Sequence, residues 1–244
     1  MVDDVVYQAY SVSSGAWAVA LDVKTAEVRW RTTEPMGRNW LTHAAPAVAD
    51  DLLVFATAYA NLIALDSDTG RLRWQNTLGG GLGVRAKPVL ADGLVLLACQ
   101  GDSLVAVDAG TGAVSWTYRA VGDSHLPGAR TASTPAVADE VVYTGFTDGS
   151  VVALDLRSGT EIWRHQVDGA VQSSPAVSGE TVYIGSHDGR LRALDRHSGA
   201  CVWRYDLGSQ VISSPVVTGN AVVATAWSGI VCAFTADGDT AGHG

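Results

Sequence analysis

An all-β chain of about six repeated four-stranded sheets is what the sequence predicts, and three observations predict it. Five aspartates are each followed eight residues later by a tryptophan: Asp22 and Trp30, Asp66 and Trp74, Asp108 and Trp116, Asp155 and Trp163, Asp195 and Trp203. A proline stands twenty residues before each of the last four aspartates, at Pro46, Pro88, Pro135 and Pro175. Pro215 stands twenty before Thr235, where a sixth aspartate would fall. Between these marks lie short apolar or alternating runs with turn residues at their ends, and no stretch keeps a helical period.

The cleanest unit begins with Gln172, Ser173, Ser174 and Pro175, then runs through apolar segments at 181–186, 190–195 and 200–205. Ser-Gly-Glu, His-Asp-Gly and His-Ser-Gly separate the segments, which is the pattern of a four-stranded antiparallel meander. In each Asp-to-Gly pentapeptide the aspartate accepts turn N–H groups and the glycine takes the φ > 0 position. The pentapeptides are residues 66–70, 108–112, 155–159 and 195–199; the first unit has Ala26 where the glycine belongs, so its turn is expected to be less ideal. The repeated tryptophan is expected to pack one sheet on the next, with one acceptor for its indole N–H. Sheets repeated at this period wrap into a β-propeller, which leaves only short edges.

The first unit starts just after the point where its proline should stand, so its innermost strand is expected to be missing. The sixth unit breaks off after Phe234, so its outermost strand is expected to be missing. That makes four complete units and two incomplete ones: either a six-bladed ring with a weak seam or a fragment of a larger propeller. The propeller is assigned to residues 1–236, and residues 237–244 are expected to be a disordered tail. The incomplete units invite strand exchange or a dimer.

At 244 residues, 47% of them hydrophobic and 17% charged, the chain can bury a full core. A net charge of −9 disfavours nucleic acid and anionic lipid as partners. No apolar run reaches the ~20 residues of a membrane span, and residues 1–4 do not read as a signal peptide. As given, the chain reads as cytoplasmic; it would be periplasmic or extracellular had a leader, kinase or transmembrane region been removed. Cys99, Cys201 and Cys232 lie in apolar runs without metal or disulfide spacing.

The string Ala-Leu-Asp-x-x-Thr/Ser-Gly-x-x-x-Trp stands at residues 64–74, 153–163 and 193–203, with 106–116 close to it. It resembles the signature of the pyrroloquinoline quinone (PQQ)-type propeller repeat, and with the Ser-Ser-Pro-Ala-Val and Val-Tyr-x-Gly elements the resemblance spans residues 1–236. The family implies two binding roles. One is similar to the propeller lipoprotein of outer-membrane β-barrel assembly; the other resembles the sensor propellers of some bacterial Ser/Thr kinases. It also implies an alternative, a fragment of a PQQ-dependent dehydrogenase. The calcium-binding Glu, Asn and Asp set and the vicinal cysteines of those enzymes have no counterpart here, so neither PQQ nor calcium is expected. Only the structural residues carry over: Asp66, Trp74, Asp108, Trp116, Asp155, Trp163, Asp195 and Trp203.

Every difference in repeat length falls between a tryptophan and the next proline, with spacings of 16, 14, 19, 12 and 12 residues. Insertions of this kind decorate one face and are the best pointer to binding. The three longer ones carry Arg38, Trp40, His43, Arg85, Lys87 and Arg130. Strand alternation puts the residues three and one before each proline on one side of the channel-facing strand, which adds Gln172 and pairs Arg85 with Lys87. These seven are the candidate site, for a protein partner or a small anionic ligand. No catalytic or metal-binding residue is assigned.

Three other signals fail on physical grounds. Residues 81–86 fit G-x-G-x-x-A, but no helix follows to meet a pyrophosphate. Ser186, His187 and Asp188 are contiguous in a turn and cannot form a relay. Asp102, Asp148 and Asp188 recur in the same inter-strand turn, which marks them as turn-formers.

Overall fold

The computed structural model describes residues 4–12, 15–32, 45–57, 61–78, 83–84, 86–121, 133–235 and 240–241. Among them there is no helix. The strands form six antiparallel meanders. The first sheet holds β1 (Val5–Val12), β2 (Gly15–Asp22) and β3 (Val28–Arg31). The second holds β4 (Ala47–Ala49), β5 (Leu52–Ala56), β6 (Asn61–Asp66) and β7 (Leu72–Thr77), and the third β8 (Val89–Ala91), β9 (Leu94–Cys99), β10 (Ser103–Asp108) and β11 (Val114–Arg119). The fourth holds β12 (Ala136–Ala138), β13 (Val141–Gly145), β14 (Ser150–Asp155) and β15 (Glu161–Gln166). The fifth holds β16 (Ala176–Ser178), β17 (Thr181–Gly185), β18 (Arg190–Asp195) and β19 (Cys201–Asp206). The sixth holds β20 (Val216–Thr218), β21 (Ala221–Thr225), β22 (Val231–Thr235) and β23 (Thr240–Ala241). The chain divides into two compact units, residues 1–100 with 105–115, and residues 101–104 with 116–244.

The first sheet has three strands, as the sequence implies. The sixth corrects the sequence reading, because Thr240 and Ala241 pair with Phe234 and Ala233 and supply a fourth strand. An open β22 edge offers unpaired N–H and C=O groups, and any two extended residues can satisfy them without an apolar pattern. The rest of the expected tail, 236–239 and 242–244, lies outside the described residues.

Each repeat residue has a defined task. In the second sheet Asp66 Oδ1 accepts the Thr69 N–H at 2.9 Å and the Thr69 hydroxyl at 2.7 Å. Asp108, Asp155 and Asp195 do the same for Thr111, Ser158 and Ser198. The alanine of Ala-Leu-Asp lies directly across from the tryptophan, as Ala64 does from Trp74 and Ala153 from Trp163, and the register shifts just after it. That bulge frees the indole to lean over the next sheet. Its Nε1–H then donates to the carbonyl that follows the next aspartate: Trp30 to Ser67 at 2.7 Å, Trp74 to Ala109 at 2.7 Å, Trp116 to Leu156 at 2.9 Å and Trp163 to Arg196 at 2.8 Å. The glycine of the next turn lies under the ring. A Cβ on Gly70 would come within 2.4 Å of Trp30, and Gly70 also has φ +69°. Two independent reasons therefore demand glycine there.

Ala26 takes the glycine place in the first sheet at φ 58°. Its turn keeps the bonds to Asp22 Oδ1 from Lys24 at 2.9 Å and Thr25 at 3.0 Å, so what it loses is backbone energy and not hydrogen bonding. Ala26→Gly should raise stability by about 1 kcal/mol, read as a higher urea midpoint at unchanged slope.

The cores lie between consecutive sheets. In the first unit Val5, Ala18, Ala20 and Trp30 pack on Leu53, Phe55, Ile63 and Leu65, and Leu62, Ala64 and Trp74 pack on Val95, Leu97, Val105 and Val107. In the second, Tyr143, Val151, Ala153 and Trp163 pack on Val182, Ile184 and Leu194, and Leu191 packs on Val222 and Ala224. The second and fifth sheets thus each turn one face toward the sheet before them and the other toward the sheet after them.

Candidate functional site

Within each unit, the described parts of the connections meet the turns between second and third strands and are held there by backbone bonds. Between the fourth and fifth sheets, Val171 N–H donates to the Phe146 carbonyl and His187 N–H to the Ala170 carbonyl, both at 2.9 Å. Val211 and Trp227 repeat the clamp one sheet later, bonding to the Ser186 and Gln210 carbonyls at 3.0 and 2.8 Å. Val84 to Thr57 at 3.3 Å and Gln100 to Gly83 at 2.9 Å make it in the first unit. The valine in this clamp explains the glycine of Val-Tyr-x-Gly. A Cβ on Gly145 would fall 2.1 Å from Val171 Cγ1, and one on Gly185 2.3 Å from Val211 Cγ1.

The serines before the prolines fasten the connections to the sheets. Ser173 Oγ accepts the Gly185 N–H at 2.9 Å and donates to its carbonyl at 3.1 Å, fastening the loop to the end of β17. The residue next to the proline links neighbouring sheets: Thr134 N–H donates to Ser174 Oγ at 3.0 Å and Ser174 N–H to Ser214 Oγ at 2.9 Å. Lys87 occupies the same repeat position before Pro88 and is exposed. A cation thus stands where the other unit has a hydroxyl chain.

Several of the described polar side chains of this face are engaged with one another. Asp188 binds the guanidinium of Arg192, the Ser186 hydroxyl and the Arg190 N–H, and the Asp188–Arg192 pair is buried. Despite the cost of burial, these bonds hold the Asp188 carboxyl below its ordinary range. Asp148 Oδ1 accepts the Ser150 N–H at 2.8 Å and hydroxyl at 2.6 Å, so it is a turn-former, as read from the sequence. Asp102 reaches further and accepts the Thr147 N–H at 3.0 Å from the next sheet. His187 Nε2 lies 2.9 Å from Gln172 Oε1 while Ser186 turns to Asp188, so no relay forms. Trp227 occupies the turn position of His187 one sheet on and is 78% exposed.

Acid sensitivity follows from the turns. Asp22 and Asp66 are held at about 2, first by Arg29 and Arg73 and then by turn hydrogen bonds. Hydroxyl and N–H bonds from Thr111, Ser158 and Ser198 lower Asp108, Asp155 and Asp195. The folded carboxyls are more acidic than their unfolded value of 3.8, so their stabilisation is complete above it and is lost as pH falls through about 2. Burial also lowers His165 and His187 from 6.5, an effect of the same sign at higher pH. A melting series should be level above 6.5, sag slightly below it, and fall steeply between about pH 4 and 2.

A family model described as outer membrane protein assembly factor BamB matches residues 14–174 and 147–241. The chain belongs to this family. BamB of Moraxella catarrhalis is similar to it with a TM-score of 0.77 and 22% identity, over 96% of this chain and 73% of that one. The computationally designed Ika8 protein gives 0.76 and 18%, over 96% of this chain and 69% of that one. Identities this low speak to the fold alone, and the fold is a β-propeller of PQQ-like repeats. No curated protein matches the sequence.

In this BamB-family chain the candidate residues are only partly placed. Arg38, Trp40, His43, Arg85 and Arg130 lie outside the described residues, so the proposed convergence of Arg85 and Lys87 does too. Gln172 is half-buried and held by its own sheet's turn through His187. Trp227 was not among the candidates; its signal was a tryptophan off the eight-residue beat, in a turn that elsewhere carries Thr147 or His187. In the first unit, on the hairpin side of the sheets, a cleft of about 280 Å³ is lined by Asp50, Asp51, Asp92 and Arg73. Arg73 already pairs there with Asp51 and Asp66. Among the described residues no three His, Cys, Asp or Glu side chains gather to hold a metal ion. No helix among the described residues is long and apolar enough to cross a membrane.

Proposed function

We propose that this chain is a non-catalytic docking module that binds protein partners through its loop-bearing face. The observation that carries the reading is Trp227, 78% exposed beside turns in which His187 bonds to Gln172 and Arg192 to Asp188. A large exposed indole on a rigid platform is the kind of side chain that anchors a protein interface. Membership of the BamB family supports a role in outer-membrane protein assembly and a place in the cell envelope. Neither PQQ nor calcium takes part in this reading. The kinase-sensor role and the dehydrogenase alternative draw no support from the comparisons. A small anionic ligand at Lys87 has only its exposed charge in favour.

A photo-cross-linking residue at position 227 tests this in cells, with position 220, exposed at the opposite end of β21, as the control. Protein adducts at 227 and none at 220 are expected, with components of outer-membrane assembly among them. Equal labelling at both positions refutes the docking face. Calcium- and PQQ-dependent dye reduction by the purified chain refutes the non-catalytic reading.

A further inference from the structure

We infer that the cleft between the hairpins of the second and third sheets is a subsite for an arginine side chain of a protein partner. The fifth sheet shows what fills the equivalent space against the fourth. There Arg196, the residue after the repeat aspartate, has a side chain only 12% exposed and pairs through Nη2 with Asp139 on the β12–β13 hairpin. Its Nη1 donates to the Gly179 carbonyl on the β16–β17 hairpin at 3.2 Å.

Ala109 is the counterpart of Arg196 in the third sheet, and its backbone bonds establish the match. Ala109 N–H donates to the Gly93 carbonyl at 2.8 Å, as Arg196 N–H does to the Glu180 carbonyl at 3.0 Å. The Ala109 and Arg196 carbonyls each accept the indole N–H of the sheet before, from Trp74 and Trp163. The receiving hairpins match as well. Asp50 and Asp51 turn where Asp139 and Glu140 do, and Asp92 and Gly93 turn where Gly179 and Glu180 do. The carboxylate that would hold a guanidinium is thus kept, as Asp50, while the arginine is replaced by alanine.

The neighbouring side chains are cut back in the same place. His197 and Glu180 pair at 2.6 Å beside Arg196, and their counterparts are Gly110 and Gly93. With Ala109, these glycines line the cleft of about 280 Å³. That is below the roughly 300–1,000 Å³ of pockets that enclose a whole small-molecule ligand, and it suits one side chain. The lining sets Asp50, Asp51 and Asp92 against Arg73, which is paired with Asp51. Among the described residues no cation pairs with Asp50. A planar guanidinium can serve a carboxylate and a carbonyl with separate N–H groups, as Arg196 does, whereas an ammonium is a point charge. The surplus of carboxylates repels the carboxylate of free arginine and favours arginine within a chain. The inference concerns the hairpin turns and does not depend on Trp227.

Amide NMR of the isotope-labelled chain, titrated with an Ala-Arg-Ala peptide blocked at both ends, is the test. The amides of Asp50, Asp92, Gly93 and Ala109 should shift and saturate. Citrulline in place of the peptide's arginine keeps the shape and loses the charge, and should bind about tenfold more weakly. Asp50→Asn should weaken binding about fivefold. Asparagine tolerates the φ of 50° at this turn, so the melting temperature should hold. Ala109→Arg should supply the guanidinium from within the chain and abolish binding, and free arginine should bind more weakly than the blocked peptide. An absence of shifts at the four amides overturns the proposal. So does equal binding of the citrulline peptide, or binding at the parent's affinity by Asp50→Asn or Ala109→Arg. Tighter binding of free arginine would make the cleft a small-molecule site and overturns it too.

Discussion

Trp163→Ala should lose about 3–5 kcal/mol of stability, the largest single loss expected in the second unit. The indole is 7% exposed and packs with Tyr143, Val151, Val182 and Leu194. Its ring covers Gly199 of the next sheet, where the space it leaves cannot be refilled by a residue without a side chain. Trp163→Phe should recover most of the packing and still cost about 1 kcal/mol, because the hydrogen bond to the Arg196 carbonyl is gone. Chemical denaturation of the three proteins measures both steps. Equal losses in the alanine and phenylalanine variants would mean that the hydrogen bond outweighs the packing.

Gly185→Ala should cost about 1–3 kcal/mol for a different reason, overpacking. The backbone of Gly185 needs no left-handed conformation, but its Cβ would lie 2.3 Å from Val211 Cγ1 and 2.8 Å from the Val211 carbonyl oxygen. Val211→Ala in the same chain should return part of the loss, since the clash with Cγ1 goes and those with the Val211 Cβ and carbonyl oxygen, both at 2.8 Å, stay. A double-mutant cycle reads this directly: the pair must be more stable than the sum of the single losses allows. Additive losses would place the strain elsewhere than at the loop valine.

The two substitutions also show where the sequence was legible. Asp66, Gly70 and Trp74 could be read because their chemistry is local or returns after one repeat. An aspartate next to turn N–H groups and a glycine at φ > 0 need no knowledge of the tertiary fold. Gly145 and Gly185 were visible in Val-Tyr-x-Gly, yet their cause was not, since it lies in Val171 and Val211 some 26 residues on. Gln172 was singled out for its alternation on the inner strand, but its bond to His187 depends on a turn that doubles back 15 residues later. β23 escaped notice because backbone pairing alone makes it, and Thr240 with Ala241 has no apolar signature. The basic loop residues were chosen for charge, a property that says where a ligand would be attracted and nothing of how a loop folds.

The tryptophan latch has a direction. Each donor reaches a carbonyl 37, 35, 40 or 33 residues further along the chain, never one behind it. On a ribosome, a sheet therefore emerges with its indole unclaimed and is locked only when the turn of its successor arrives. The array is built to be zipped in the order of its synthesis, each step closing over a short sequence distance.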